Sequence, residues 1–520
     1  MLTLLRKRIA LFFLLCTALF VLTSCQNAGV PIKEGGTITL PPATVPYVAP
    51  IGDAALEYTD TATLYLPRQD GTRLMSLTDI IPFSAARLDA ESVIRALLVH
   101  PSNGVASSLG GDVKLSLYGA NPVEVSGDVA TVNLAASALQ LDRKMLFLCS
   151  QAITNTLSEL ANIRYVNILV MDKQIGLDLG STLPTGAMTQ SVVSDIGAAY
   201  EQLLSQRVQA DENPEDKRLT DTVTLYFPLA AINGIVSEAR NVSFSSQSPE
   251  SMIERILQEI SDGPVSVTGS PVLPLLSELL TEAPTVTEPA GSGGRLITLH
   301  FDSTLDDMLT TKGVSRASCM ASLTYTLCTF MPNITGLIVY VGEERIDHLM
   351  LGAEDGLLFD DGVMRRGNFA TLLMDNATLY LADPQGKALV AFQRPIPYFQ
   401  RTNPRALLLE VLKGPTAADS VSGLLPVVKA DLLNDADILG LSMNEETLVV
   451  NLSDTFTQAG QNISADQDRL LAYAMVNTLI CGEKAKRISF FVAGNTPADF
   501  TGEIYWAGLF YPSFGIRQIQ

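Results

Sequence analysis

The sequence predicts an α+β chain of three tandem small α/β sandwich modules, each a mixed sheet with two helices. Three observations carry this. A strand-like segment ending in Leu-Tyr recurs at Thr63 to Leu66, Thr224 to Phe227 and Thr378 to Leu381. Each is followed by the same series: an extended run, an amphipathic helix, a strand, a helix bearing Thr-Leu and a closing apolar strand. Finally, Leu64, Leu225 and Leu379 lie about 160 and about 150 residues apart, a domain-sized period and not a solenoid's.

The elements follow in order. The second extended runs, Arg73 to Phe83, Gly234 to Phe244 and Ala388 to Tyr398, sit at the spacing of hairpins with irregular loops. Helix starts are signalled by Asp89 with Glu91, by Ser248-Pro249-Glu250 and by Asn403-Pro404. Met252, Ile253, Ile256, Leu257 and Ile260 form one apolar stripe at helical spacing, a core face. Gly263-Pro264 and Gly414-Pro415 stop the helix in repeats two and three; repeat one has His100-Pro101. Strands are expected at Ala130 to Leu134, Leu296 to Phe301 and Leu448 to Leu452. Next come helices with Thr156-Leu157, Thr326-Leu327 and Thr478-Leu479, then strands at Tyr165 to Met171, Leu337 to Gly342 and Ile488 to Gly494.

This order, with helices ending in Gly-Pro and, in repeat three, a strand reading Val-Val-Asn-Leu-Ser, resembles the GerMN domain of sporulation and spore germination lipoproteins. Repeats two and three carry the pattern most fully. Repeat one, Ser- and Gly-rich from Pro101 to Gly111, matches it less. The resemblance implies a small α+β domain that mediates assembly and has no known reaction.

The amino terminus reads as a lipoprotein signal peptide over residues 1–24: Arg6, Lys7 and Arg8, then an apolar run from Ile9 to Leu22, short for a membrane span. The run ends Leu22-Thr23-Ser24-Cys25, which resembles a bacterial lipobox and makes Cys25 the expected lipidation site. An uncleaved anchor or a chance Cys is the alternative. Residues 25–57, punctuated by Gly35-Gly36, Pro41-Pro42, Pro46 and Pro50, are expected to be a tether. Module 1 then spans residues 58–189, a helical and charged linker 190–219, module 2 220–350, a packed connector 351–375 and module 3 376–520. The charged linker predicts that module 1 folds alone, and the apolar connector that modules 2 and 3 form one unit. Thr281 to Gly294 reads as a flexible inserted loop.

Composition suits an exported globular chain: 520 residues, 47% hydrophobic and 17% charged, are too apolar for disorder and ample for several cores. A net charge of −20 argues against nucleic acid or an anionic lipid surface as a charge-driven partner. Cys149, Cys319, Cys328 and Cys481 fall on apolar helices, where Cys behaves as a small hydrophobe, and their spacing gives neither a disulfide framework nor a zinc site.

Signatures of chemistry are sparse. His100 stands where the other repeats have the helix-ending Gly, and His300 where they have Asn133 and Asn451, so both read as substitutions at structural positions, as does His348 in the connector region. No nucleophile elbow, zinc-protease or phosphate-loop motif occurs; of the adjacent acids, Asp360-Asp361-Gly362 is the nearest to a hard-cation site, but such pairs are usually solvated turns. No catalytic residue, metal or cofactor is expected. The aromatic run Tyr505, Trp506, Phe510, Tyr511 and Phe514 has the composition of a partner-docking patch. The apolar tails near a Gly in all three repeats favour a tail packed on module 3 instead.

The resemblance thus implies a lipid-anchored protein on the extracytoplasmic face of the cell membrane, binding envelope, sporulation or germination proteins. An accessory subunit of a cell-wall hydrolase and a solute-binding lipoprotein of a transporter are the alternatives.

Overall fold

In the computed structural model, the described residues are 47–515 without 54–55, 178–182, 193–194, 208–217, 231, 268, 290–292, 353–354, 418 and 482–484. The first repeat runs β1 (Glu57–Pro67), β2 (Leu74–Ser84), α1 (Asp89–Val99), β3 (Val123–Ser126), β4 (Val129–Leu134), α2 (Arg143–Leu157) and β5 (Tyr165–Val170). After α3 (Ile196–Arg207), the second runs β6 (Leu219–Pro228), β7 (Ile235–Phe244), α4 (Pro249–Ser261), β8 (Thr285–Thr287), β9 (Arg295–Phe301), α5 (Leu305–Thr311), α6 (Arg316–Phe330), β10 (Ile334–Val341) and β11 (Glu344–Arg345). A small ribbon, β12 (His348–Met350) with β13 (Gly356–Leu358), precedes the third. That repeat runs β14 (Met374–Ala382), β15 (Leu389–Pro397), α7 (Pro404–Lys413), β16 (Ile438–Asn444), β17 (Thr447–Leu452), α8 (Phe456–Ala459), α9 (Ala465–Cys481), β18 (Arg487–Val492) and β19 (Leu509–Phe510).

The architecture is mixed α+β with several small sheets. Each repeat divides its strands in two: the hairpins β1–β2, β6–β7 and β14–β15 each form a two-stranded sheet, and separate sheets run β3-β4-β5, β11-β10-β9-β8 and β16-β17-β18-β19. A strand joins the sequence pattern in each repeat before the expected one. In repeats one and three it forms a tight antiparallel hairpin, β3–β4 turning at Gly127 and Asp128 and β16–β17 at Glu445 and Glu446. In repeat two it is β8, inside the stretch expected to be a flexible loop, where Thr285–Thr287 pairs with Leu296–Thr298. The crossovers β4–β5, β9–β10 and β17–β18 are parallel and each carries a helix.

Helix starts follow the capping chemistry. Ser248 Oγ accepts from Ser251 N and Asn403 Oδ1 from Arg405 N, each ahead of a Pro at the first helical position. The α4 stripe from Met252 to Ile260 is wholly buried, worth about 1.5–3 kcal/mol per large side chain against leaving it in water.

One hydrogen bond explains why Leu-Tyr and Thr-Leu recur together. Tyr65 N donates to Thr156 Oγ1 at 2.9 Å, Tyr226 N to Thr326 Oγ1 at 3.0 Å and Tyr380 N to Thr478 Oγ1 at 3.1 Å. Each threonine satisfies an amide on the hairpin edge that has no strand beside it, so helix and hairpin dock in one register.

The cores divide differently from the expectation. One continuous core joins repeats one and two with Phe359, Met364, Phe369, Leu372 and Leu373 of the connector; repeat three has a second core, which takes in Leu56 and Ala85. Repeat one is therefore fused to repeat two: Asn167 Nδ2 donates to Thr224 Oγ1 at 2.9 Å, and Ala187 N to Thr222 O at 2.8 Å. The charged linker sequence marks a connection, while the apolar faces on either side of it decide the packing. Residues 47–53, within the stretch expected as tether, are docked on repeat three.

Candidate functional site

The expected docking tail is divided between core and surface. Trp506 is 0% exposed, its ring 5.2–5.6 Å from those of Phe456, Phe490, Phe500 and Phe510. Its Nε1 donates to Asp468 Oδ1 at 2.8 Å. Phe510 is buried because β19 pairs with β18. Ser513 is tied to α9 through both amide atoms of Asn477, at 2.9 and 3.0 Å. Tyr505, Tyr511 and Phe514 stay 52%, 57% and 41% exposed. The five aromatics are thus no single patch: an aromatic-rich run with an indole N–H to satisfy closes a core as readily as it makes a surface. Cys25 lies outside the described residues.

The histidines occupy structural positions. His300 stacks on Tyr340 at 4.4 Å, its partner across the β9–β10 ladder, while the Asn133 and Asn451 amides hold the loops after β5 and β18. His348 lies exposed on the ribbon. His100 takes part in a charge reversal. In repeats two and three, Arg240 and Arg394 cross from the hairpin to the helix-ending carbonyls, Gly263 O at 2.9 Å and Gly414 O at 2.8 Å. Arg240 also meets Glu238 and Glu259, and Arg394 meets Asp419 and Glu410. Their cross-strand partners are Val223 and Ala377; Ala62, at the matching position of repeat one, pairs with Asp79. There the acid sits on the strand and the base on the helix end, with His100 Nε2 3.6 Å from Asp79 Oδ2.

The polar centre that the sequence reading missed lies where the repeats meet. Arg366, in the 3-10 turn Arg366–Leu372 of the connector, is buried and pairs with Glu124 of β3 and Thr329 of α6. Its guanidinium lies 4.1 Å from the Tyr325 ring centroid, and Tyr325 OH is 3.1 Å from Glu124 Oε1. Burial pushes the Glu124 carboxyl above the ordinary range, with Arg366 pulling it back, and pushes the Tyr325 hydroxyl up as well. Beside this centre is a cavity of about 160 Å³ lined by Tyr118, Glu124, Asn133, Asp172 and Arg366. Nearby the β3–β4 turn enters between hairpins of the other two repeats. Ser126 Oγ donates to Met374 O at 2.7 Å and accepts from Ser237 N at 3.0 Å, and Gly127 N donates to Asp375 Oδ1 at 3.2 Å. Gly127 has φ 60°, and a Cβ there would lie 3.0 Å from Ser237 O. The signal in the sequence was slight: an acid inside an apolar strand and Arg365-Arg366 inside an apolar connector.

These groups suit joining, since each charge is spent on a partner from another segment. Burial pushes the thiols of Cys149, Cys319 and Cys328 up to about 12, far from a reactive thiolate. Among the described residues no three His, Cys, Asp or Glu side chains are placed to hold a metal, and no helix is long and apolar enough to cross a membrane.

Comparison with known proteins bears on this arrangement. A family model described as sporulation and spore germination, Germane, matches residues 63–176 and 378–497. The matched residues include repeat one, expected to be the weaker match, and leave out repeat two, expected to be among the fullest. In the two matched repeats the extra strand turns tightly into the next; in repeat two residues 288–294 intervene. No curated protein matches the chain. Among solved structures, the tandem GerMN domains of the sporulation protein GerM from Bacillus subtilis are similar at 18% identity, over 56% of this chain and 96% of that one, with a TM-score of 0.21. The first of those domains alone gives 16% identity over 26% of this chain and 97% of that one, TM-score 0.18. A putative lipoprotein from Clostridium perfringens gives 20% identity over 22% and 78%, TM-score 0.15.

Proposed function

We propose that residues 63–176 and 378–497, which the sporulation and spore germination family model matches, are two domains of that family, and that the chain is an envelope lipoprotein that acts by assembly. Repeat two is a third, divergent domain of the same kind. Cys25 is the acylated mature terminus, which places the domains on the extracytoplasmic face of the membrane, and the partners are envelope proteins of sporulation or germination. The observation that supports assembly is the fate of the polar side chains: Arg366, Arg240, Arg394 and the threonines of the Tyr–Thr bonds each join one segment to another. Several similar domains in one chain multiply weak contacts where a partner offers matching sites.

Two experiments test the two halves of the reading. Labelled fatty acid enters the wild-type chain and not Cys25→Ala; equal labelling ends the lipoprotein half. Crosslinking and pulldown from envelope fractions recover envelope proteins with the wild-type chain. Recovery of none from a chain that is acylated and folded ends the assembly half.

A further inference from the structure

Residues 47–53 precede the first repeat in sequence, yet they are bound to the third. Gly52 makes a parallel bridge to Gly440, its N–H donating to Leu439 O at 2.8 Å, so the segment adds to the outer edge of β16. Asn451 Nδ2 donates to Pro50 O at 2.9 Å, and Tyr47 OH lies 3.1 Å from Thr447 Oγ1. Asp53 closes the contact with a two-pronged ion pair to Arg405, at 2.5 and 2.7 Å. Arg405 is held ready by Asp435 and by Ile438 O, each at 3.0 Å.

The receiving surface is shaped for a backbone. A Cβ at Gly440 would lie 2.6 Å from Pro50 O, 2.7 Å from Gly52 O and 2.8 Å from Gly52 N, closer than any neighbour tolerates, so only glycine lets the strap approach. Asn451 shows the same accommodation. Its counterpart Asn133 gives its amide to Asp172 at 2.6 Å within repeat one, whereas Asn451 gives its own to the strap. The strap also contributes little apolar anchoring, since Val48 is 84% and Ile51 89% exposed. Its hold is a few hydrogen bonds and one partly exposed ion pair, the mode by which sheets take in extended peptides.

We propose that the β16 edge of repeat three is a strand-accepting site whose resting occupant is residues 47–53 of the same molecule, and which takes an extended, acid-ended segment of a partner when that strap is displaced. The identity of the partner rests on the assembly reading; the exchangeable strap does not. The occupant's chemistry is read from the strap: a Pro-Ile-Gly backbone that leaves the Gly440 approach free, followed by a carboxylate for Arg405.

The test uses the full chain and a synthetic peptide of residues 45–55. Asp53→Lys replaces the ion pair with a repulsion, and the exchange rate of the Gly52 amide rises on the order of 10-fold or more while the β17 amides stay protected. The labelled peptide then binds Asp53→Lys at least about 10-fold more tightly than wild type, where the tethered strap competes at a high effective concentration. Gly440→Val in the Asp53→Lys background abolishes peptide binding, and a peptide with Lys in place of Asp binds neither protein. Unchanged Gly52 protection in Asp53→Lys overturns the resting clasp. A released strap with no peptide binding, or binding that Gly440→Val leaves intact, overturns the accepting site. Both measurements hold whether or not Cys25 is acylated, so failure here is separable from failure of the lipoprotein reading.

Discussion

Replacing Arg366 with Met removes the cation at the meeting point of repeat one, repeat two and the connector while keeping much of its volume. Glu124, buried beside Tyr325, is left without its counter-charge, Thr329 Oγ1 loses a donor, and the guanidinium no longer covers the Tyr325 ring. Breaking a buried pair from one side costs about 3–5 kcal/mol, a large part of the 5–15 kcal/mol typical of a whole domain. At a urea dependence of about 2–3 kcal/mol per molar, the midpoint of the affected unit falls by roughly 1–2 M. The sole tryptophan, Trp506, lies in the other core. Urea unfolding followed by far-UV circular dichroism therefore shows an early transition in Arg366→Met, while the Trp506 fluorescence midpoint keeps close to wild type. The double variant Glu124→Gln/Arg366→Met recovers part of the loss, because no uncompensated charge stays buried. If fluorescence and dichroism shift together by the full amount, the two cores are one cooperative unit and the division is wrong. A loss under about 1 kcal/mol, the scale of an exposed pair, refutes the burial of the Arg366–Glu124 contact.

Three further outcomes follow from the repeat geometry. Thr478→Val removes the acceptor of Tyr380 N–H in repeat three and costs about 1–3 kcal/mol, read by Trp506 fluorescence. Glu238→Gln is pH-sensitive: burial alone would raise this carboxyl, but Ser266 and Arg240 hold it below the ordinary glutamate range. A depressed folded value means its stabilisation is present above about pH 4.3 and fades as pH falls through the folded value. The variant therefore loses about 1.5–3 kcal/mol at pH 7 and converges on wild type in urea titrations only once the pH has fallen below the depressed folded value. For the reversed pair of repeat one, Asp79→Arg and His100→Gly are each destabilising, and the double variant, which installs the Arg-to-Gly arrangement of the sister repeats, is less so than their sum. A cycle that sums within about 0.5 kcal/mol shows that the two positions are not coupled.

What the sequence made legible was whatever repeats. Leu-Tyr and Thr-Leu stand out in three places because one hydrogen bond needs both, and Ser248-Pro249 and Asn403-Pro404 mark helix starts because capping is local chemistry. The strands β3, β8 and β16 escaped notice since they differ in length, at four, three and seven residues, and are unlike in composition; they are defined by the ladder they join. The partition of the cores was misread for a related reason. A charged linker suggests separation only if the surfaces on either side are polar, and those of repeats one and two are sealed by Phe369, Leu372 and Leu373, which lie far along the chain.

The polar groups at the junctions have the same origin. Glu124 and Arg366 are single residues in segments that share no periodicity, and Asp53 and Arg405 lie at opposite ends of the sequence, so no local pattern connects either pair. Their roles differ in burial, and that difference sets what each does. Arg366 is enclosed with Glu124, where separation leaves two charges out of water, so that contact holds the body together. Arg405 and Asp53 keep about a quarter of their side-chain surface in solvent, at 22% and 30%, so water receives both groups when they part. A strap fastened at such a point, with Val48 and Ile51 facing outward, comes away at much lower cost than the Arg366–Glu124 contact.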